Sequence, residues 1–232
     1  MRDFFIFASI TIFRLHFRTN YNRMKKTAII FLILFIGAFF YAISSYVPEF
    51  NGIDVSHHNK VNWEKIKQND AIKFCYIKAT EGKSFRDPMC HKHAESARKS
   101  GLHVGLYHYF RTDVTAEAQF ENFKRIYDNV PTDLIPVIDV EEDGNNFSDT
   151  ELVNERLEDL IDLFEENFGC KPIIYTGSWC CLKVIPTIHD CPLWIRFIKG
   201  HNLIPNTTIK QAAIVDNIDM NYCKDINKII LR

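Results

Sequence analysis

The pattern of hydrophobic positions divides the chain at about residue 50. Residues 28–43, AIIFLILFIGAFFYAI, contain no charged side chain. After residue 50, short runs of β-branched and aromatic residues alternate with stretches in which hydrophobic side chains recur every three to four positions. The runs are typical of strands and the stretches are typical of amphipathic helices. The pattern therefore predicts an α/β fold for residues 50–232, which we interpret as one domain.

Strands are predicted at GIDVS (52–56), IKFCYIKAT (72–80), HVGLYHYF (103–110), IPVIDVE (135–141), KPIIYTG (171–177) and PLWIRF (192–197). Helices are predicted over residues 62–69, 91–100, 115–129 and 148–169. The last helix has Ser148 or Asp149 as its N-cap and Gly169 as its C-cap. Because strands and helices alternate, we expect a parallel sheet.

Residues 1–49 form a separate segment, predicted to be a signal peptide or a membrane anchor. The sequence MKK at Met24, an alternative start of the chain, precedes the uncharged run as in an export signal. An uncleaved anchor over residues 28–47 is the second interpretation, with Lys25 and Lys26 on the cytoplasmic side. Both predict an extracytoplasmic domain, either secreted or periplasmic, or anchored to the membrane through this segment.

Charge narrows the range of partners. The 232 residues carry a formal net charge of −1, but residues 1–49 contain six basic and two acidic side chains, which leaves −5 for the remainder. An acidic domain without a basic stripe argues against nucleic acid as a partner. We expect a monomer.

Polar and aromatic residues recur at the carboxyl ends of successive predicted strands. They are Asp54, the segment from Lys78 to Glu81, Tyr107, Asp139 with Glu141, Tyr175 and Trp194. In a barrel these strand ends meet at one mouth, whereas an open sheet would spread them along an edge. The sequence lacks the glycine-rich motifs of nucleotide-binding sheets. A barrel is therefore the favoured α/β architecture.

Asp139 and Glu141 are the strongest candidates for chemistry. Side chains alternate along a strand, so both carboxyl groups project from one face, about 6.6 to 7 Å apart along the backbone. Two nearby carboxylates resist ionising together, and burial raises a carboxyl pKa, so one group can hold a proton beside a charged neighbour. The alternative is a solvated strand end, because the following EEDGNN is typical of a loop.

The seven cysteines do not indicate a metal centre. Cys180, Cys181, His189 and Cys191 are close in sequence, but their spacing does not match paired zinc ligands. We predict no metal and no cofactor. One local disulfide remains an alternative.

Six segments in order, GIDVSHHN, IKATEG, GLYHYF, PVIDVE, PIIYTG and LWI, resemble the glycoside hydrolase family 25 lysozymes, which are N-acetylmuramidases. The resemblance runs from about Gly52 to Tyr222. It implies a single incomplete TIM-like barrel, (β/α)5(β)3. It also implies hydrolysis of the β-1,4 bond between N-acetylmuramic acid and N-acetylglucosamine, with peptidoglycan glycan strands as the partner.

By this resemblance the catalytic carboxyls are Asp54, Asp139, Glu141 and Asp219. Glu141 would protonate the leaving oxygen, and the three aspartates would stabilise the cationic sugar ring or position water or the acetamido group. The resemblance further implies that Tyr107 and Tyr175 line the sugar site. We also expect Trp194 to form a stacking wall and Lys78, a candidate substrate contact, to pair with Glu81.

The sequence departs from the family near its end. The usual W-x-x-W-Q segment is reduced to TTIKQAAIVDNIDMN, which keeps Gln211 but neither tryptophan, and Arg196 stands where a small residue usually follows W-I. These departures motivate one alternative, a catalytically weak glycan-binding protein on the same barrel. A second alternative is a cysteine hydrolase that uses Cys180 or Cys181 with His189.

Overall fold

Eight strands close into a barrel, and a further two-residue strand pairs on its outside. The computed structural model describes residues 50–196 and 206–231. The barrel strands are β1 (Gly52–Val55), β2 (Phe74–Glu81), β4 (His103–Tyr109), β5 (Val137–Val140), β6 (Ile173–Thr176), β7 (Leu193–Arg196), β8 (Thr207–Val215) and β9 (Ile218–Cys223). The outer strand is β3 (Phe85–Arg86).

Helices follow the first five barrel strands. They are α1 (Trp63–Lys67), α2 (Cys90–Lys99), α3 (Ala116–Tyr127), α4 (Thr150–Phe168) and α5 (Ser178–Ile188). The barrel strands β7, β8 and β9 come last, before a short 3₁₀ turn at Ile226–Lys228. This order of five strand–helix units and three strands confirms the expected (β/α)5(β)3 arrangement.

The ring of strands is closed, so the barrel is incomplete only in its helices, which follow five of the eight barrel strands. The order β1-β9-β8-β7-β6-β5-β4-β2 returns to β1 through a β1–β2 pairing. Neighbours from β1 through β8 are parallel, but β9 runs antiparallel to both β8 and β1. The expected parallel sheet is therefore wrong for β9, as it is for β3 against β2. Since β9 is reversed, its first residues lie at the mouth where the parallel strands end.

Two apolar layers stabilise the barrel. The inner layer fills the interior of the barrel and includes Phe74 and Tyr76, both fully buried. Glycines make room for these rings, because a Cβ on Gly52 would lie 2.1 Å from the Phe74 ring and one on Gly105 would lie 2.3 Å from the Tyr76 ring. The outer layer packs the helices against the outside of the sheet. The interior of the barrel is therefore filled by side chains, and the cleft described below lies at its mouth.

The predicted boundaries agree with the structure where capping signals are strong. Asp149 accepts a hydrogen bond from the backbone N–H of Leu152 at the start of α4, and Gly169 ends that helix with φ of 72°. Helix α5 was not predicted from the sequence. It contains Pro186, and no side chain caps its first turn. The usual sequence signals of a helix are therefore weak in this segment.

A two-residue turn joins β8 to β9. Asp216 and Asn217 have φ of 52° and 63°, and the flanking Val215 and Ile218 pair directly. Two successive positive φ angles are typical of a type I′ hairpin turn, in which asparagine and aspartate are favoured. The shortened segment noted in the sequence is therefore a tight hairpin.

The predicted signal or anchor, residues 1–49, lies outside the described residues. Within residues 50–196 and 206–231, the helices are too short or too polar to cross a membrane.

Candidate active site

The four carboxyl groups expected from the sequence line one cleft at the mouth of the barrel. The cleft has a volume of about 250 Å³. Its lining includes Asp54, Asp139, Glu141 and Asp219, together with Tyr107, Tyr175, Trp194 and Lys78. The structure therefore brings all eight predicted site residues to one place, while their roles stay predictions.

Strand register explains how residues far apart in sequence meet. Asp54 near the end of β1 lies opposite Asp219 near the start of the antiparallel β9. Asp139 on β5 lies opposite Tyr175 on β6. Glu141 follows β5 directly, so the strand fixes the carboxyl of Asp139 more firmly than that of Glu141.

Asp139 is the most enclosed of the four acids. The residue is 8 % exposed, and its Oδ1 has no hydrogen-bond partner among the described residues. Burial raises the pKa of Asp139 well above its usual range, and the nearby Glu141 raises it further, while Lys78 acts in the opposite direction. This carboxyl therefore resists ionisation unless a positive charge approaches it.

Glu141 lies nearer to solvent, with 25 % of its side chain exposed. Burial raises its pKa, but the guanidinium of Arg196 and the nearby hydroxyl of Tyr175 lower it. The Nη1 atom of Arg196 is 3.7 Å from Oε2 of Glu141. Asp139 and Glu141 thus form an interacting pair of acids, in which Lys78 acts on the more buried member and Arg196 on the more exposed one.

Asp54 belongs to a chain of buried hydrogen bonds. Nε1 of Trp194 donates to Oδ1 of Asn221 at 3.1 Å, and Nδ2 of Asn221 donates to Oδ2 of Asp54 at 2.8 Å. Asn221 is fully buried, and Trp194 is only 2 % exposed. Burial and the charge of Asp219 raise the pKa of Asp54, whereas the bond from Asn221 lowers it. These two hydrogen bonds therefore orient Asp54, and the one from Asn221 favours its ionised form.

Asp219 is held on the opposite side by Gln211. Burial raises the pKa of Asp219, and a hydrogen bond from Gln211 lowers it. The hydroxyl of Tyr175 donates to Oε1 of Gln211 at 2.7 Å. Gln211 thus connects Asp219 to Tyr175, which in turn contacts Glu141.

The remaining predicted residues take different positions in the cleft. Tyr107 is partly exposed, while the ring of Trp194 packs edge-on against Tyr175 at 5.2 Å within the barrel interior. Nζ of Lys78 lies 2.7 Å from Oε2 of Glu81, so the expected pairing is present. The stacking role of Trp194 and the substrate contact of Lys78 stay predictions.

Sequence reasoning missed two residues of the site: Tyr109, which lines the cleft, and Asn221, which is buried behind it. Asn221 lies in the segment NIDMN two positions after Asp219, so a period-two pattern places both on the inner face. Tyr109 follows Tyr107 by the same spacing, lines the cleft, and places its ring 4.7 Å below Nζ of Lys78. The strand periodicity was the available signal for both residues.

The cysteine chemistry considered above finds no support in the described residues. Cys75, Cys90, Cys170, Cys180, Cys191 and Cys223 are all free thiols. Burial raises the pKa of Cys180 to about 12, which disfavours the thiolate that a nucleophile requires. Nδ1 of His189 is hydrogen-bonded to the backbone oxygen of Pro186. Within the same ranges, no group of three or more His, Cys, Asp or Glu side chains is arranged to hold a metal ion.

Relatives with this sequence pattern are known. The Escherichia coli (strain K12) protein YegX is 37% identical over 151 residues, which are 62% of this chain and 55% of that protein. The autolytic lysozyme of Clostridium acetobutylicum is 31% identical over 147 residues, which are 62% of this chain and 44% of that protein. The chain thus spans about half the length of the curated relatives it matches.

Solved structures share the architecture. A family 25 glycosyl hydrolase from Bacillus anthracis has a TM-score of 0.65 and 27% sequence identity, over 78% of this chain and 93% of that one. The sequence profile described as Glycosyl hydrolases family 25 matches residues 53–213, a span that contains three of the four acids and ends within β8. The chain therefore belongs to glycosyl hydrolase family 25.

Proposed function

We propose that this chain is a lysozyme-type muramidase that hydrolyses the β-1,4 bond between N-acetylmuramic acid and N-acetylglucosamine in bacterial peptidoglycan. The observation that carries the proposal is the pair Asp139 and Glu141, which share one cleft and both have raised pKa values. Glycoside hydrolysis requires one carboxyl that donates a proton and one carboxylate that remains charged. Because the charge of Glu141 raises the pKa of Asp139, the two carboxyls lose their protons in separate steps, and the pair passes through a state with one proton and one charge.

Glu141 acts as the general acid in this proposal. Its side chain is partly exposed at the mouth, so a glycosidic oxygen in the cleft can reach its proton. Asp139 lies deeper and, once ionised, its charge stabilises the oxocarbenium-like sugar ring. Asp54 and Asp219 add negative charge on the β1 and β9 side, and their amide donors Asn221 and Gln211 keep them oriented.

Aromatic side chains provide the binding surface. Tyr107 and Tyr175 present an apolar ring and a hydroxyl group to the cleft, a combination suited to sugars. The substrate determines the location: peptidoglycan lies outside the cytoplasmic membrane, so the domain acts extracytoplasmically, whether released or held by residues 1–49. The similarity to a protein named autolytic lysozyme supports this assignment.

Mass spectrometry of purified peptidoglycan treated with the purified chain tests the proposal. New fragments with reducing-end muramic acid are the expected product. Glu141→Gln should keep the fold and lower turnover by about 100- to 10,000-fold, because an amide of similar shape cannot donate the proton. Asp139→Asn should also cause a severe loss, since it removes the stabilising charge.

Glu142→Gln is the matched control. It makes the same chemical change one residue further on, at an exposed side chain outside the cleft lining, and should retain wild-type turnover. Near-normal turnover of Glu141→Gln would refute the assignment of the acid. Wild-type protein that binds glycan strands without releasing fragments would instead establish a binding protein.

A further inference from the structure

Arg196 adds a positive charge to one side of the acidic cleft. It is the last residue of β7 and lies opposite Gln211 on β8, so it projects toward the mouth beside the site described above. Gly177, which follows β6, leaves room for it, since a Cβ there would lie 3.1 Å from Nη2 of Arg196. The side chain is 52 % exposed.

The guanidinium is close to Glu141 but is not hydrogen-bonded to it. The Nη1 to Oε2 distance of 3.7 Å is longer than a hydrogen bond. An arginine presents five N–H donors in a planar fork that matches a carboxylate. The position of Arg196 therefore leaves donors able to bind an anion that enters from the solvent.

The cavity beside Arg196 has room for such an anion. A side chamber of about 360 Å³ adjoins the cleft, and its lining includes Glu141, Tyr175, Arg196, Gln211, Ile214 and Asp219. Arg196 is the only cation among the described residues of this lining. Lys78, a cation of the main cleft, is 2.7 Å from Glu81 and so already has a carboxylate partner. Glu141 and Asp219 line the same chamber, so among its described lining residues Arg196 is the one group that attracts an anion.

We propose that Arg196 binds a carboxylate carried by the substituent of the muramic acid, so that the enzyme prefers glycan whose substituent is anionic; this rests on the proposed muramidase function. Two sources share this chemistry. The lactyl group of muramic acid has a free carboxylate where the stem peptide is absent, and the stem peptide has its own carboxylates where it is present. Ile214, 70 % exposed, supplies an apolar neighbour for either substituent.

Matched substrates test the preference. One pair is peptide-free glycan oligosaccharide with the lactyl carboxyl free or converted to a methylamide; the other is peptide-bearing glycan with its stem carboxyls free or amidated. In one of these two pairs, the anionic member carries the carboxylate that Arg196 binds. For that pair, the KM of wild-type protein should be about tenfold lower for the anionic member than for the neutral one, with kcat little changed. Arg196→Met, which keeps an unbranched apolar stem but removes the charge and the N–H donors, should abolish the difference.

Arg125→Met is the control, because Arg125 is exposed on α3 and does not line the cleft. It should keep the full preference. Equal KM values for both members of both pairs, or a preference that survives Arg196→Met, would overturn the inference. A preference in the first pair identifies the lactyl carboxylate, and one in the second pair identifies the stem peptide.

Binding of the same oligosaccharides to Glu141→Gln by calorimetry separates this inference from the proposed function. We expect about tenfold tighter binding of the anionic member without turnover, and loss of that difference when Arg196→Met is added. Absence of cleavage by wild-type protein would contradict the muramidase assignment alone. Equal calorimetric affinities within both pairs would contradict the role of Arg196 alone.

Discussion

Replacing Asn221 with leucine tests how the barrel holds Asp54. Asn221 is fully buried and links Nε1 of Trp194 to Oδ2 of Asp54 through hydrogen bonds of 3.1 and 2.8 Å. Leucine has a similar size but can neither donate nor accept. The substitution therefore removes both bonds and leaves the indole N–H of Trp194 buried without an acceptor.

The expected cost follows from these two losses. An unpaired buried N–H costs about 1–3 kcal/mol, and a hydrogen bond to a charged group contributes about 1.5–3 kcal/mol. We expect Asn221→Leu to lower the free energy of unfolding by roughly 3–5 kcal/mol at a pH where Asp54 is ionised. The loss of the hydrogen bond to Asp54 depends on pH. Burial raises the pKa of Asp54, and the hydrogen bond from Asn221 lowers it, because the bond favours the ionised carboxylate. The destabilisation should therefore grow as pH rises through the pKa of Asp54, and be smaller where Asp54 is protonated in both proteins.

A double-mutant cycle with Trp194→Phe, followed by urea unfolding at two pH values, measures both effects. Phenylalanine has no N–H, so the double variant leaves no orphaned donor at this position. Its destabilisation should be about 1–3 kcal/mol less than the sum of the two single variants. Asn167→Leu, on the exposed face of α4, is the control and should change the free energy of unfolding by about 0.5 kcal/mol or less.

Strictly additive costs would show that Trp194 and Asn221 do not form one network. A cost of Asn221→Leu that is the same below and above the pKa of Asp54 would show that Asn221 does not stabilise the ionised form of Asp54. Either result would refute the explanation of how this acid is oriented.

Two further substitutions address neighbouring parts of the molecule. Tyr175→Phe removes a hydroxyl group that lowers the pKa of Glu141, so the alkaline limb of the pH–rate profile should move to higher pH; an unchanged limb would exclude Tyr175 from this role. Phe164→Ala removes a fully buried ring that stacks on Phe123 at a centroid distance of 4.9 Å. It should lower the free energy of unfolding, measured by urea titration, by about 3–5 kcal/mol. A loss below about 1 kcal/mol would contradict this packing.

The sequence predicts elements well where two local signals coincide. Helix α4 combines a helical hydrophobic period with a capping aspartate and a terminal glycine, and its ends agree with the prediction. Helix α5 has no side-chain cap at its start, and Pro186, a residue that disfavours helix, lies within it. Packing against the barrel, not local propensity, determines that this segment is helical.

In the candidate site, too, some features follow from local sequence patterns and others do not. Period-two alternation places Asp139 on the inner face, and the convergence of strand ends in a barrel brings Tyr107 and Tyr175 toward it. The bonds that orient the acids could not be predicted from the sequence. Asn221 reaches Asp54 across 167 positions of sequence, and that contact exists only because β9 pairs with β1 when the barrel closes.

The reversed last strand explains why a shortened segment is compatible with a complete set of acids. In a parallel strand, a residue at the start of the strand would lie at the far end of the barrel from the mouth. The tight turn at Asp216 and Asn217 reverses the chain, so Asp219, the second residue of β9, lies at the mouth opposite Asp54. The acid is therefore positioned by strand pairing and needs no support from a long loop. Loss of the two family tryptophans then affects the rim of the cleft and not the arrangement of its carboxyls, so we expect that loss to act on KM more than on kcat.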